Sequence, residues 1–172
     1  MSSLTWGATR WLRNLYGATE PFIMRGKFLA GASQAIVAGQ ILELSATNWI
    51  PLDADQAMAG VIAVAIQDID SGDRAGYYSL CVPRPGDVFE YPLASAAAVA
   101  VGANLYWSSA TVVTTTAGSN ALGDSVGQEN YPAEQDHLSK GGITDYGTTV
   151  NSIGFVQMTF KAAVSYWAVL QT

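Results

Sequence analysis

The chain has 172 residues, 49% hydrophobic and only 13% charged, with a formal net charge of −6. That length holds one domain with a real core. Eight Lys and Arg leave no basic stripe for direct DNA or RNA binding, and no apolar run reaches the ~18 residues of a membrane helix.

An ordinary soluble domain carries about 25% charged residues. The shortfall implies that much of the surface faces other protein, in a homo-oligomer or a larger assembly. The plainer alternative is a compact β domain with a Ser/Thr-rich exterior. The single cysteine, Cys81, excludes an intrachain disulfide and, set in an apolar run, reads as a buried small hydrophobe. Arg10, Arg13 and Asn14 interrupt any secretory apolar region at the N-terminus, so the expectation is a protein made and used without export.

Residues 1–21 differ from the rest and read as an N-terminal arm. Trp6, Trp11, Leu12, Leu15 and Tyr16 interleave with Arg10 and Arg13, and Leu12, Leu15 and Tyr16 share one face of a short amphipathic helix over 8–16, ending near Gly17. Trp, Tyr and Arg are favoured interface anchors. Trp6, Arg10, Trp11, Arg13 and Tyr16 are therefore the candidate contact residues, docked on the parent domain or on a neighbouring subunit. A membrane-surface helix is a weaker third option, because the basic face is thin.

Residues 22–172 read as one β-barrel-like domain. Residues 22–29 form a strand with Gly26 as a possible bulge. Short strands follow at 40–45 and 48–52, with Pro51 suited to an edge or a strand end. The run Gly60-Val61-Ile62-Ala63-Val64-Ala65-Ile66 is continuous, apolar and β-branched, and organises the middle of the chain. A turn cluster at 70–73 and another at 83–87 separate two further strand-like runs. The alanine-rich stretch 94–101 suits a helical turn or a packed loop equally. Strands are expected at 104–108, 112–116, 124–128, 152–160 and 165–170. Residues 129–150, punctuated by Pro132, Gly141, Gly142 and Gly147, read as a long loop of the functional or mobile kind. A weak echo links 39–44, 86–91 and 102–107, each a glycine turn followed by a strand with large apolar residues on one face. Roughly eight to ten short antiparallel strands make the chain all-β, a β-barrel or β-sandwich with an N-terminal arm.

No catalytic set emerges, and no enzyme activity, cofactor or metal is expected. His137 is the only histidine and Cys81 the only cysteine, too few for a closed zinc site. No acyl-transfer triad or Gly-x-Ser-x-Gly elbow can be drawn. Asp68, Asp70 and Asp73 lack the spacing of a calcium loop and read as a hairpin turn. Glu43, Asp87 and Glu90 carry no sign of a glycosidase pair.

Four stretches resemble the capsid decoration, or cement, proteins of tailed phages: Ala38–Leu42, Gly60–Ala65, the Gly72-Asp73-Arg74-Ala75-Gly76 turn, and Val101–Trp107 with Leu122-Gly123 behind it. The resemblance spans residues 38–128. It implies a β-barrel-like domain on the outer surface of the virion capsid, assembled in the host bacterial cytoplasm. It also implies a major capsid protein as partner, bridging of its subunits, and a homo-oligomer, trimer or dimer, with no direct nucleic-acid or membrane contact. Two alternatives stand beside it: another virion component such as a tail or baseplate adaptor, or a carbohydrate-binding module using exposed Trp49 or Trp107.

Overall fold

The computed structural model describes residues 4–7, 9–28, 35–52, 58, 60–69, 76–95, 98–118, 120–128 and 154–172. The long loop expected at 129–150, with His137, lies outside the described residues, as do Asp70 and Asp73. The described chain is almost entirely β. Its strands are β1 (Leu4–Trp6), β2 (Thr9–Asn14), β3 (Ile23–Phe28), β4 (Ile41–Ser45), β5 (Asn48–Pro51), β6 (Ile62–Ala65), β7 (Gly76–Cys81), β8 (Asp87–Pro92), β9 (Asn104–Ser109), β10 (Val112–Thr114), β11 (Gly123–Gly127) and β12 (Phe155–Phe160). One short helix, α1 (Trp167–Leu170), follows.

The strands form two antiparallel sheets packed as a sandwich. The larger runs β1-β2-β8-β12-β11-β9-β10. The smaller runs β5-β4-β6-β7-β3, and curls until its first and last strands, β5 and β3, meet at one parallel pair, Trp49 with Phe28. A seam one pair wide makes this a curled sheet, not a barrel with a continuous hydrogen-bonded wall.

The central strand explains the apolar run that marks it in the sequence. Every residue of β6 is buried. Ile62 and Val64 face the larger sheet, in one core with Trp11, Phe89, Tyr91, Leu105 and Met158. Ala63 and Ala65 face the inside of the curled sheet, in a second core with Leu42, Trp49, Leu80 and Val82. A strand covered on both faces has no polar-out positions, hence no alternation.

The two halves of the chain repeat one topology. The order β3-β5-β4-β6-β7 recurs as β8-β10-β9-β11-β12, where the parallel bridge Leu93–Val113 takes the place of Phe28–Trp49. The turns before β4 and β9 match bond for bond. Gly39 N–H donates to Ala65 O at 2.7 Å and Gly102 N–H to Ser125 O at 2.7 Å, while Ala65 N–H donates to Gln40 O and Ser125 N–H to Ala103 O, both at 2.9 Å. Both glycines have φ in the left-handed region, 93° and 83°, where a side chain is disfavoured. In the sequence, Ala35–Leu42 runs against Ala98–Leu105 without a gap, aligning Ile36 with Val99, Gly39 with Gly102 and Leu42 with Leu105. The echo between 39–44 and 102–107 is thus a true structural equivalence. The third copy, 86–91, is not: it is β8, the counterpart of β3.

Three local expectations change. The stretch read as a helix over 8–16 is strand β2, paired with β8 from Arg10 opposite Glu90 to Asn14 opposite Asp87. Gly26 is no bulge, since the β3–β7 register runs through it unbroken. It is a close-packing point, where a Cβ would fall 2.4 Å from Leu80 Cδ2 and 2.5 Å from Trp49 Cδ1. The aromatic stretch at 165–170 is a turn into α1. There Tyr166 stands edge-on to Trp49 with centroids 5.3 Å apart, and Trp167 edge-on to Phe22 at 5.1 Å, so the C-terminus plugs the curled sheet.

Candidate docking surface

Strand β2 is fastened to β8 by a buried carboxylate. Asp87 is fully buried. Its Oδ1 accepts from Trp11 Nε1 at 3.1 Å, Asn14 Nδ2 at 2.9 Å and Arg84 Nη2 at 3.3 Å. Its Oδ2 accepts from Arg84 N–H at 2.8 Å and Arg84 Nε at 3.2 Å. Burying a charge is costly unless it is paired and hydrogen-bonded, and five donors satisfy this one. Arg84 also donates through Nη2 to the Glu20 carbonyl, which ties the connector into β3 to the same point.

Just beyond this knot the chain offers apolar surface to solvent. Leu15 is 52% exposed and Tyr16 80%. Asn14 Oδ1 accepts from Tyr16 N–H at 2.8 Å, and Leu15 N–H donates to Gly86 O at 2.8 Å. Tyr16 lies against Gly86, where an added Cβ would meet its ring at 2.6 Å. The loop is therefore held in shape before any partner arrives, which reduces the ordering cost of binding. A cleft of about 330 Å³ is lined by Leu4, Trp11, Thr19, Glu20 and Pro21, the residues flanking β2 and the connector into β3.

The five candidate contact residues fall into different settings. Trp11 is fully buried in the larger core, and Trp6 is half-buried against it. Arg10 pairs with the buried Glu90 at 3.4 Å, and Arg13 Nη2 donates to Gln157 Oε1 at 3.3 Å. Tyr16 alone of the five is broadly exposed. Leu15 stands beside it and was legible only as part of the supposed helical face. The tryptophans suggested as sugar platforms are not exposed: Trp49 keeps 3% and Trp107 9% of its surface, so neither offers a ring to stack on.

Two buried titratable groups are held neutral. Burial pushes the Cys81 thiol well up, with Asp87 adding to the effect. Burial also raises the Tyr91 hydroxyl far above its usual range, against a smaller opposing effect from its hydrogen bond with Thr9. A thiol kept protonated is a poor nucleophile. Among the described residues, no three His, Cys, Asp or Glu side chains gather as a metal site, and no helix is long and apolar enough to cross a membrane.

What these features define is an all-β, two-sheet protein with a rigid exposed loop and no assembled reaction centre among the described residues. The family model of phage cement proteins matches residues 57–134, from just before β6 to beyond β11 across both sheets, and it supports the phage cement family for this chain. No curated protein matches the chain, and no solved structure does.

Proposed function

We propose that this protein is a structural component of a phage virion that binds the outside of the assembled head, bridges neighbouring major capsid subunits and so stabilises the shell. The match to the phage cement family carries the reading. The low charge of the chain supports it, because such a surface suits broad protein contact. The preformed Leu15–Tyr16 loop is the contact point on this reading, Tyr16 acting as aromatic anchor, with the protein acting as a trimer or dimer. Its role is mechanical, not enzymatic.

The test is co-sedimentation of purified protein with heads that lack it, followed by heating of the heads. Wild type is expected to co-sediment and raise the temperature at which heads release DNA. Leu15→Asp with Tyr16→Ala should bind at least ~10-fold more weakly, the loss of about 1.4 kcal/mol or more expected of an interface anchor. Wild-type protein that neither sediments with heads nor protects them overturns the reading. Wild-type binding with an unaffected double variant moves the contact elsewhere on the surface.

A further inference from the structure

The internal repeat makes an unfilled position visible. β8 carries β12 on one side, and β2 lies along its other side over Asp87–Glu90. Its counterpart β3 pairs with β7 along its whole length, but on the other side meets β5 only at Phe28. Among the described residues, no strand lies along Ile23–Lys27 on that side. The Val82 N–H donates to Phe22 O, which fixes the parity of the ladder. Met24 and Gly26 direct their backbone groups to β7, while Ile23, Arg25 and Lys27 direct theirs outward, the Lys27 carbonyl toward Trp49 at the seam and the other groups of the three to the open side. Over Ile23–Lys27 those three are also the exposed residues.

We propose that this edge receives an extended acidic segment of a partner protein as an added strand, in the place that β2 takes on β8. Strand addition draws affinity from main-chain bonds and selectivity from the side chains alongside. On β8 the carboxylates Asp87 and Glu90 lie opposite a strand carrying Arg10 and Arg13. On β3 the signs are reversed. Arg25 and Lys27 mark the edge in a chain of net charge −6, so the complementary strand is acidic. Arg25 is steadied by donating through Nη2 to Tyr77 O at 2.8 Å. Tyr77, opposite Lys27, is 62% exposed, and Ile23 at the far end is 42% exposed; both offer apolar contact. Cationic side chains on an edge also turn away uncharged or basic strands, so the same residues that invite the acidic segment restrict what else can pair there.

The experiment titrates the isotope-labelled full chain with a short synthetic peptide alternating Glu and Val, and with its Lys/Val counterpart. The acidic peptide alone should shift the amide signals of Ile23, Arg25 and Lys27 and slow their hydrogen exchange, leaving Met24 and Gly26 unchanged. Arg25→Pro removes an outward N–H and no bond to β7, and should abolish the response. Arg25→Glu with Lys27→Glu, which leaves the backbone untouched, should switch the preference to the basic peptide. Equal response to both peptides, or response to neither, overturns the proposal. So does self-association of the wild-type chain that Arg25→Pro converts to monomer, because the occupant is then a second copy. No phage head is used, so failure here is distinct from failure of the decoration reading.

Discussion

Replacing Asp87 by alanine should release β1 and β2 from the rest of the protein. The substitution strips the acceptor from the buried Trp11 and Asn14 donors and from Arg84, which keeps 19% of its side-chain surface. Removing one partner of a buried ion pair costs about 3–5 kcal/mol, and each orphaned donor about 1–3 kcal/mol. These do not add, because Arg84 can turn to water, so the expected loss is about 4 kcal/mol, a large part of the ~5–15 kcal/mol that holds a domain folded. In urea, with a slope near 2 kcal/mol per molar, the midpoint should fall by about 2 M. Amide exchange over 9–14 should quicken before the rest of the larger sheet follows. Asp87→Asn keeps one carbonyl acceptor for Trp11 and Asn14 but turns an amide toward Arg84, so it should lose roughly half as much. A loss below ~1 kcal/mol for the alanine variant, the range of exposed pairs, would refute the claim that this carboxylate fastens the N-terminal strands.

Two further outcomes follow from the same packing. Gly39→Ala and Gly102→Ala both force alanine into left-handed backbone, at about 1–2 kcal/mol each, but at Gly39 the new Cβ would also stand 2.4 Å from the Trp6 carbonyl oxygen, whereas at Gly102 it meets nothing within 4 Å. Thermal melts should therefore show Gly39→Ala as clearly the worse of the two, and equal losses would count against the repeat's asymmetry. Stability should also fall in alkali. Cys81 and Tyr91 stay protonated when folded, while in the unfolded chain they ionise near their ordinary values of 9.0 and 10.0. Their contribution is complete below pH 9 and is then lost as pH rises, by roughly 1.4 kcal/mol per pH unit for each group once it ionises. Urea midpoints measured from pH 7 to 11 check this, and C81A should start its decline about one unit later.

Much of the fold could be read from the sequence because glycine turns and β-branched runs mark strand ends directly. β4, β6, β8, β9 and β12 fall where those signals place them. β2 escaped because a register irregularity between Trp11 and Arg13 breaks the period of two. The buried residues Thr9, Trp11 and Asn14 then no longer alternate cleanly, and Leu12, Leu15 and Tyr16 imitate a helical face. The C-terminal aromatics looked like a strand because their composition is strand-like, whereas edge-on contacts with Phe22 and Trp49 fix them as a turn. Of the surface, only Tyr16 was legible. The buried setting of Trp11 depends on Asp87, far along the chain, and composition carries no trace of that pairing. The repeat was half-visible in the glycine-led echoes, but only the hydrogen bonds around Gly39 and Gly102 separate the true counterpart from the chance one.

The doubled topology bears on how many neighbours a copy can hold through this kind of edge. Two equal halves, each with a vacant flank, would make a bivalent linker able to chain from one partner to the next. Here the protein's own leading strands occupy the flank of the second half, while among the described residues no strand lies along the flank of the first. Of the two equivalent flanks one is closed by intramolecular folding, so if the other takes an added strand, each copy holds one partner by this route.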